Sequence, residues 1–129
     1  MRGLSSLESQ YGLPEGLLSS VMNTESRGNP NAVSPKGALG AFQFMPDTAK
    51  QYGIDPLDPE QAASGAARMY HDLLTKYDGD VPSALAAYNW GQGNVDKKGL
   101  QNAPEETRNY IANVMSGMQT NQRGIGSAL

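Results

Sequence analysis

A chain of 129 residues, 38% hydrophobic and 18% charged, is sized and composed for one domain with its own core. The absence of cysteine excludes disulfides, thiolate metal sites and thiol nucleophiles together. Lys+Arg number 10 against 13 Asp+Glu, a net charge of −3, so nucleic acid, which is bound largely through cations on phosphates, is not an expected partner.

No apolar run approaches the roughly 20 residues of a membrane span. Met1 to Glu8 lacks the apolar stretch of a signal peptide. Pro14 suits the first turn of a helix through Leu17, Leu18, Val21 and Met22, ended by Gly28-Asn29-Pro30-Asn31. A Gly-rich loop follows from Ser34 to Gly40, with a short hairpin around Gly37 to Phe42 as the alternative. Pro46-Asp47-Thr48-Ala49 opens a short helix that stops at Gly53. Asp58-Pro59-Glu60 reads as an N-cap with proline in the first turn, and predicts a helix to Tyr77. Asp80-Val81-Pro82 repeats that signal for a helix carrying Ala84, Leu85, Ala87 and Tyr88. Asn102-Ala103-Pro104-Glu105-Glu106 opens the last helix, where Tyr110, Ile111, Val114, Met115 and Met118 recur at helical spacing. Val, Ile and Thr are too scattered for alternating strands. The pattern predicts a mainly α domain over residues 1–119 and a flexible tail or start of a linker over 120–129.

One carboxylate stands out. Leu18, Val21 and Met22 define an apolar stripe, and Glu25 continues it, four residues after Val21 and three after Met22. Glu25 also falls near the helix C-terminus, where the macrodipole disfavours negative charge. Desolvation and dipole both raise a carboxyl pKa, which suits a general acid near neutral pH. The competing reading is a glutamate turned to solvent at a frayed helix end. His71, the single histidine, has no second histidine or acidic cluster at ligand spacing and reads as a surface residue. Asp78-Gly79-Asp80 lacks the rest of a calcium loop. No metal or cofactor is expected.

Three segments, Glu25-Ser26-Arg27-Gly28-Asn29-Pro30-Asn31-Ala32-Val33-Ser34, Gly37-Ala38-Leu39-Gly40-Ala41-Phe42-Gln43-Phe44-Met45-Pro46 and Ala87-Tyr88-Asn89-Trp90-Gly91, resemble the soluble lytic transglycosylase family in order and spacing. Glu106-Thr107-Arg108-Asn109-Tyr110-Ile111 is similar to that family's closing motif. The likeness runs from about Leu13 to Met118. It implies a lysozyme-like helical fold that cleaves the bond between N-acetylmuramic acid and N-acetylglucosamine in peptidoglycan glycan strands. It further implies a single catalytic Glu, matched here by Glu25, that works as acid and then as base. The muramic C6 hydroxyl attacks C1 and leaves a 1,6-anhydro end. Glycosidases with two carboxylates remain the rival. Asp47, Asp55, Asp58 and Asp80 are the other acids weighed for that role, and local structural roles suit them better.

Ser34 offers a compact donor and acceptor to a sugar, or serves as an ordinary turn serine. Gly37 and Gly40 let backbone approach the substrate or the catalytic helix, or simply shape a turn. Gln43 bonds Glu25 and a sugar, or satisfies loop backbone. Asn89 carries an amide matched to an N-acetyl group. Tyr88 offers a flat face to a pyranose, or packs in the core. By the family motif, the Tyr110 hydroxyl helps hold the catalytic Glu; packing beside Val114 is its other role. Two departures from the family pattern touch the cleft. Ala41-Phe42 replaces Leu-Met before the glutamine, so Phe42 is expected to alter the cleft floor. Trp90 replaces a small residue, and either adds a sugar-stacking platform or caps the core.

A hydrolytic muramidase on the same bond and a non-catalytic wall-binding or structural virion module are the alternatives. The site of action implied is the bacterial cell wall. With no signal peptide visible, the expectation is carriage in a phage virion, as a separate protein or as part of a larger virion or cell-wall protein, with a bacterial enzyme of the periplasm or wall whose signal has been removed as the alternative.

Overall fold

The computed structural model describes residues 3–127, with side chains for residues 3–119. Among the described residues there are helices and no strand. Helix α1 spans Leu4–Tyr11, α2 Leu17–Ser26, α3 Pro46–Tyr52, α4 Pro59–Lys76, α5 Val81–Trp90, α6 Gln92–Lys98 and α7 Glu105–Ser127. The tail expected over 120–129 lies outside the residues whose side chains are described.

The start signals act through identifiable bonds. Asp58 accepts from the N–H groups of Glu60 and Gln61, and Asp80 from that of Ser83, so each satisfies helix donors that have no partner within the helix. Gly53 ends α3 in the left-handed region at φ 66°, which glycine reaches without a Cβ penalty. One expectation is corrected and one alternative is decided. Pro14 lies before α2 rather than in its first turn, because Gly16 at φ 84° breaks the chain direction and α2 begins at Leu17. The Gly-rich loop forms no hairpin strands; isolated antiparallel bridges pair Leu39 with Val33 and with Phe44.

Two helices carried no legible signal. Helix α1 has no side-chain cap and buries only Leu7 and Glu8. Helix α6 buries only Val95. Both form because partners cover them, α4 in the first case and α5 in the second.

Helix α2 packs chiefly on α7, and α7 also packs on α5. Leu17, Leu18 and Val21 of α2 and Val114 of α7 are fully buried, each aliphatic side chain contributing about 1.5–3 kcal/mol of transfer free energy. The α2–α7 approach is close. A Cβ on Gly117 would lie 2.2 Å from the Ser20 hydroxyl oxygen, and that hydroxyl donates to the Val114 carbonyl at 2.6 Å. Gly40 is held equally tightly, because a Cβ there would lie 1.9 Å from the Pro56 carbonyl oxygen. Its close approach is therefore to the segment before α4, not to α2. Gly37 has open space around it and serves its turn at φ 93°. No described helix is long and apolar enough to cross a membrane.

Candidate active site

Glu25 is the penultimate residue of α2. The helix ends there because Arg27 takes the left-handed conformation at φ 57°. Ser26 fastens this end to the following loop, its hydroxyl donating to the Ala41 carbonyl at 2.7 Å. Glu25 thus opens into a cavity of about 360 Å³ whose wall includes Ser34, Gln43, Met45, Tyr88, Asn89 and Glu106.

The Glu25 carboxyl is pushed up from 4.5 to about 7. Burial is the largest cause, since removal from water penalises the charged form. The Tyr110 hydroxyl pulls the other way, and the Glu106 carboxylate adds to the rise through like-charge repulsion. Tyr110 is itself 6% exposed. Neither its hydroxyl nor that of fully buried Tyr70 has a partner at ordinary hydrogen-bond geometry. Around Glu25 the donors are therefore near but not locked.

The loop residues divide between wall and scaffold. The Ser34 hydroxyl accepts from the Ala38 N–H at 2.9 Å and closes the turn while lining the cavity. Gln43 sits at φ 53°, a strained region for a side chain with a Cβ. Its amide nitrogen donates to the carbonyls of Gly40 at 2.9 Å and Ala32 at 3.2 Å. Its described hydrogen bonds go to loop backbone rather than to Glu25.

Helix α5 supplies the opposite wall. The Tyr88 hydroxyl donates to the Phe42 carbonyl at 2.7 Å, and its ring stacks on Tyr70 at 4.8 Å. The Asn89 carbonyl oxygen accepts from the Thr107 hydroxyl at 2.8 Å. Asn89 therefore keeps its NH2 donors and one lone pair of its oxygen to offer to the cavity.

Two expected site residues stand elsewhere. The Phe42 side chain is 1% exposed and belongs to the core. The turn points it inward, and Met45, 45% exposed, lines the cavity in its place. Trp90 lies outside the Glu25 cavity and lines a neighbouring one. The candidate second acids are also elsewhere. Asp58 and Asp80 cap helices, Asp55 accepts from the Leu57 N–H at 2.9 Å, and Asp47 sits in the first turn of α3. The acid that does share the cavity is Glu106, which sequence reasoning missed because it reads as an ordinary first-turn acid of α7. Its available signals were its place at the head of the Glu106–Ile111 motif and four residues before Tyr110 on the same helix face.

A carboxyl that is about half protonated near neutrality can donate a proton and take one back. Among the described residues no group of three His, Cys, Asp or Glu side chains could hold a metal ion. The arrangement places a carboxyl of raised pKa beside the polar side chains of Ser34, Gln43 and Asn89.

Residues 4–111 match the profile of the Transglycosylase SLT domain family. The chain is 36% identical over 116 residues to the transglycosylase of Enterobacteria phage PRD1, covering 89% of this chain and 41% of that protein. It is 38% identical over 120 residues to the peptidoglycan transglycosylase gp16 of Escherichia phage T7, covering 81% of this chain and 9% of that protein. The lytic transglycosylase Slt of Pseudomonas aeruginosa shares the fold, with a TM-score of 0.82 at 23% identity over 95% of this chain and 24% of that one. The chain thus spans less than half the length of each of these relatives.

Proposed function

The chain belongs to the Transglycosylase SLT domain family, and from that premise we propose that it cleaves the N-acetylmuramic acid–N-acetylglucosamine bond of peptidoglycan with Glu25 as single acid and base. The observation that carries this reading is a carboxyl with a pKa of about 7 facing a cavity of small-molecule size.

Glu25, protonated, gives its proton to the glycosidic oxygen as the C1–O bond breaks. The carboxylate left behind takes the proton of the muramic C6 hydroxyl, whose oxygen bonds C1. The leaving strand carries the first proton, Glu25 regains the second, and no water is consumed. The attacking hydroxyl is tethered to the reacting ring, so its effective concentration far exceeds that of a free reactant. Asn89 donates its NH2 to the acetamido carbonyl, and Ser34 and Gln43 border the same space. Tyr110 favours the ionised form of Glu25 after the first transfer.

Digestion of purified peptidoglycan, borohydride reduction and mass spectrometry test the reaction. The expected anhydro ends are about 20 Da lighter than reduced hydrolytic ends, one water plus two hydrogens. Turnover absent in Glu25→Gln excludes the binding-module reading. A hydrolytic muramidase is favoured by one observation, the Glu106 carboxylate in the Glu25 cavity, since hydrolysis on two carboxylates needs such a partner. Uptake of ¹⁸O from labelled water at every cut would move the protein to that class. The phage relatives, of which the chain covers 41% and 9%, support action at the bacterial wall as part of a larger virion protein. Detection of the chain in purified virions tests that context.

A further inference from the structure

Among the described residues, three polar side chains are buried: Glu8, Ser20 and Thr107. Glu8 and Ser20 bond to backbone, and each ties one helix to another. Thr107 differs. It is 1% exposed, and its hydroxyl donates to another side chain, the Asn89 oxygen, at 2.8 Å. The bond crosses the packed pair of α5 and α7. Packing alone does not ask for it, because a valine fills the same space without a polar group to satisfy.

The two ends of this bond are unequal. Thr107 lies in the first turn of α7, beside Glu106 and three residues before Tyr110, and its branched Cβ restricts it to few rotamers. Asn89 is half-buried and lines the Glu25 cavity. The terminal torsion of an asparagine is broad and roughly two-fold, so Asn89 alone has no strong preference for which end of its amide faces the cavity. The Thr107 proton removes that freedom. It needs an acceptor, so the oxygen faces Thr107 and the NH2 is left for the cavity. An Asn89 turned over would set its NH2 against Thr107 and its oxygen towards the cavity.

We infer that Thr107 is a positioning residue, whose hydroxyl fixes the Asn89 amide so that the site favours a sugar acetamido carbonyl over the amine of a de-N-acetylated sugar. The inference rests on the proposed glycan substrate. Thr107 itself touches no substrate and acts only through Asn89.

Thr107→Val removes the hydroxyl and keeps the shape, whereas Thr107→Ser keeps the hydroxyl. Each is assayed on peptidoglycan oligosaccharides and on the same oligosaccharides after de-N-acetylation. The ratio of kcat/KM for acetylated over de-N-acetylated substrate should fall about fivefold in Thr107→Val, the scale of one neutral hydrogen bond, and be retained in Thr107→Ser. A packing role alone lowers both rates together and leaves the ratio unchanged. Independently of turnover, ¹⁵N relaxation reads the order of the Asn89 NH2. It should be as rigid as helix backbone in the unaltered protein and in Thr107→Ser, and in Thr107→Val approach the mobility of the NH2 of exposed Asn109. If Thr107→Val fails to fold, the unaltered protein still decides, since an Asn89 NH2 as mobile as that of Asn109 overturns the inference. An unchanged ratio or an unchanged order in folded Thr107→Val overturns it too. Failure of the unaltered protein to cut any strand sinks the transglycosylase reading instead, and the relaxation result stands apart from it.

Discussion

Helix α2 meets a glutamate at each end, and the two are handled in opposite ways. At the N-terminal end Glu8, reaching over from α1 and 4% exposed, accepts from the N–H groups of Gly16 at 3.0 Å and Leu18 at 2.8 Å. Its oxygens meet helix donors that would otherwise be orphaned, at the end where the dipole favours an acid. At the C-terminal end Glu25 meets burial and the Glu106 carboxylate, with only the Tyr110 hydroxyl in its favour, and is pushed up to about 7. The same side chain is a fastening where donors match it and a carboxyl of raised pKa where they do not. The fastening also anchors the helix whose far end carries Glu25.

The comparison is broken most severely at its chemical end. Glu25→Gln keeps the shape and removes the proton, and turnover of peptidoglycan should fall by ~10²–10⁴-fold. A wild-type rate of wall clearing by the purified variant would end the assignment. At the structural end, Glu8→Ala should cost about 2–4 kcal/mol, because two helix N–H groups lose their acceptor. Thermal unfolding would show this as a lower Tm, with activity per folded molecule largely retained below the transition.

Stability against pH sharpens the contrast. The folded pKa of Glu25 lies above its unfolded value, so its contribution is fully present below about pH 4.5 and is lost as pH rises through about 7. Glu25→Gln should therefore match wild type in acid and become more stable towards pH 8, by at most roughly 3 kcal/mol. Denaturant unfolding at pH 4 and pH 8 measures the difference; a variant less stable than wild type at pH 8 would contradict the desolvated carboxyl. The smallest expected effect is that of Glu106→Gln. Removing a like charge lowers the Glu25 pKa. The fall of kcat/KM on the alkaline side, expected near 7 for wild type from the Glu25 carboxyl, should move down by roughly half a unit. An upward shift would show that Glu106 acts on Glu25 in some other way.

Much of this was legible because the signals are local. Asp58-Pro59 and Asp80-Val81-Pro82 start helices through a side chain two or three residues from the donors it satisfies. Glu25 was visible because a polar residue on an apolar stripe is a conflict within one helix turn. Helices α1 and α6 were not legible, since nothing within them asks for a helix. Phe42 shows the limit most plainly. Its position in the motif marked it for the cleft, yet a left-handed Gln43 and the Tyr88 hydroxyl on the Phe42 carbonyl turn its ring into the core.

By itself the sequence determined a mainly helical domain, most of its helix starts, the acid at the end of α2 and the family, all of which rest on short spacings and ordered motifs. Only the tertiary structure decided which acid joins Glu25, what Glu8 does, and that Trp90 borders a cavity of its own. Each of these depends on groups brought together from far apart in the chain: Glu25 with Glu106, and Trp90 with Tyr52. Such contacts follow from how helices pack, because the burial that sets a pKa and the walls that bound a cavity are properties of several elements at once.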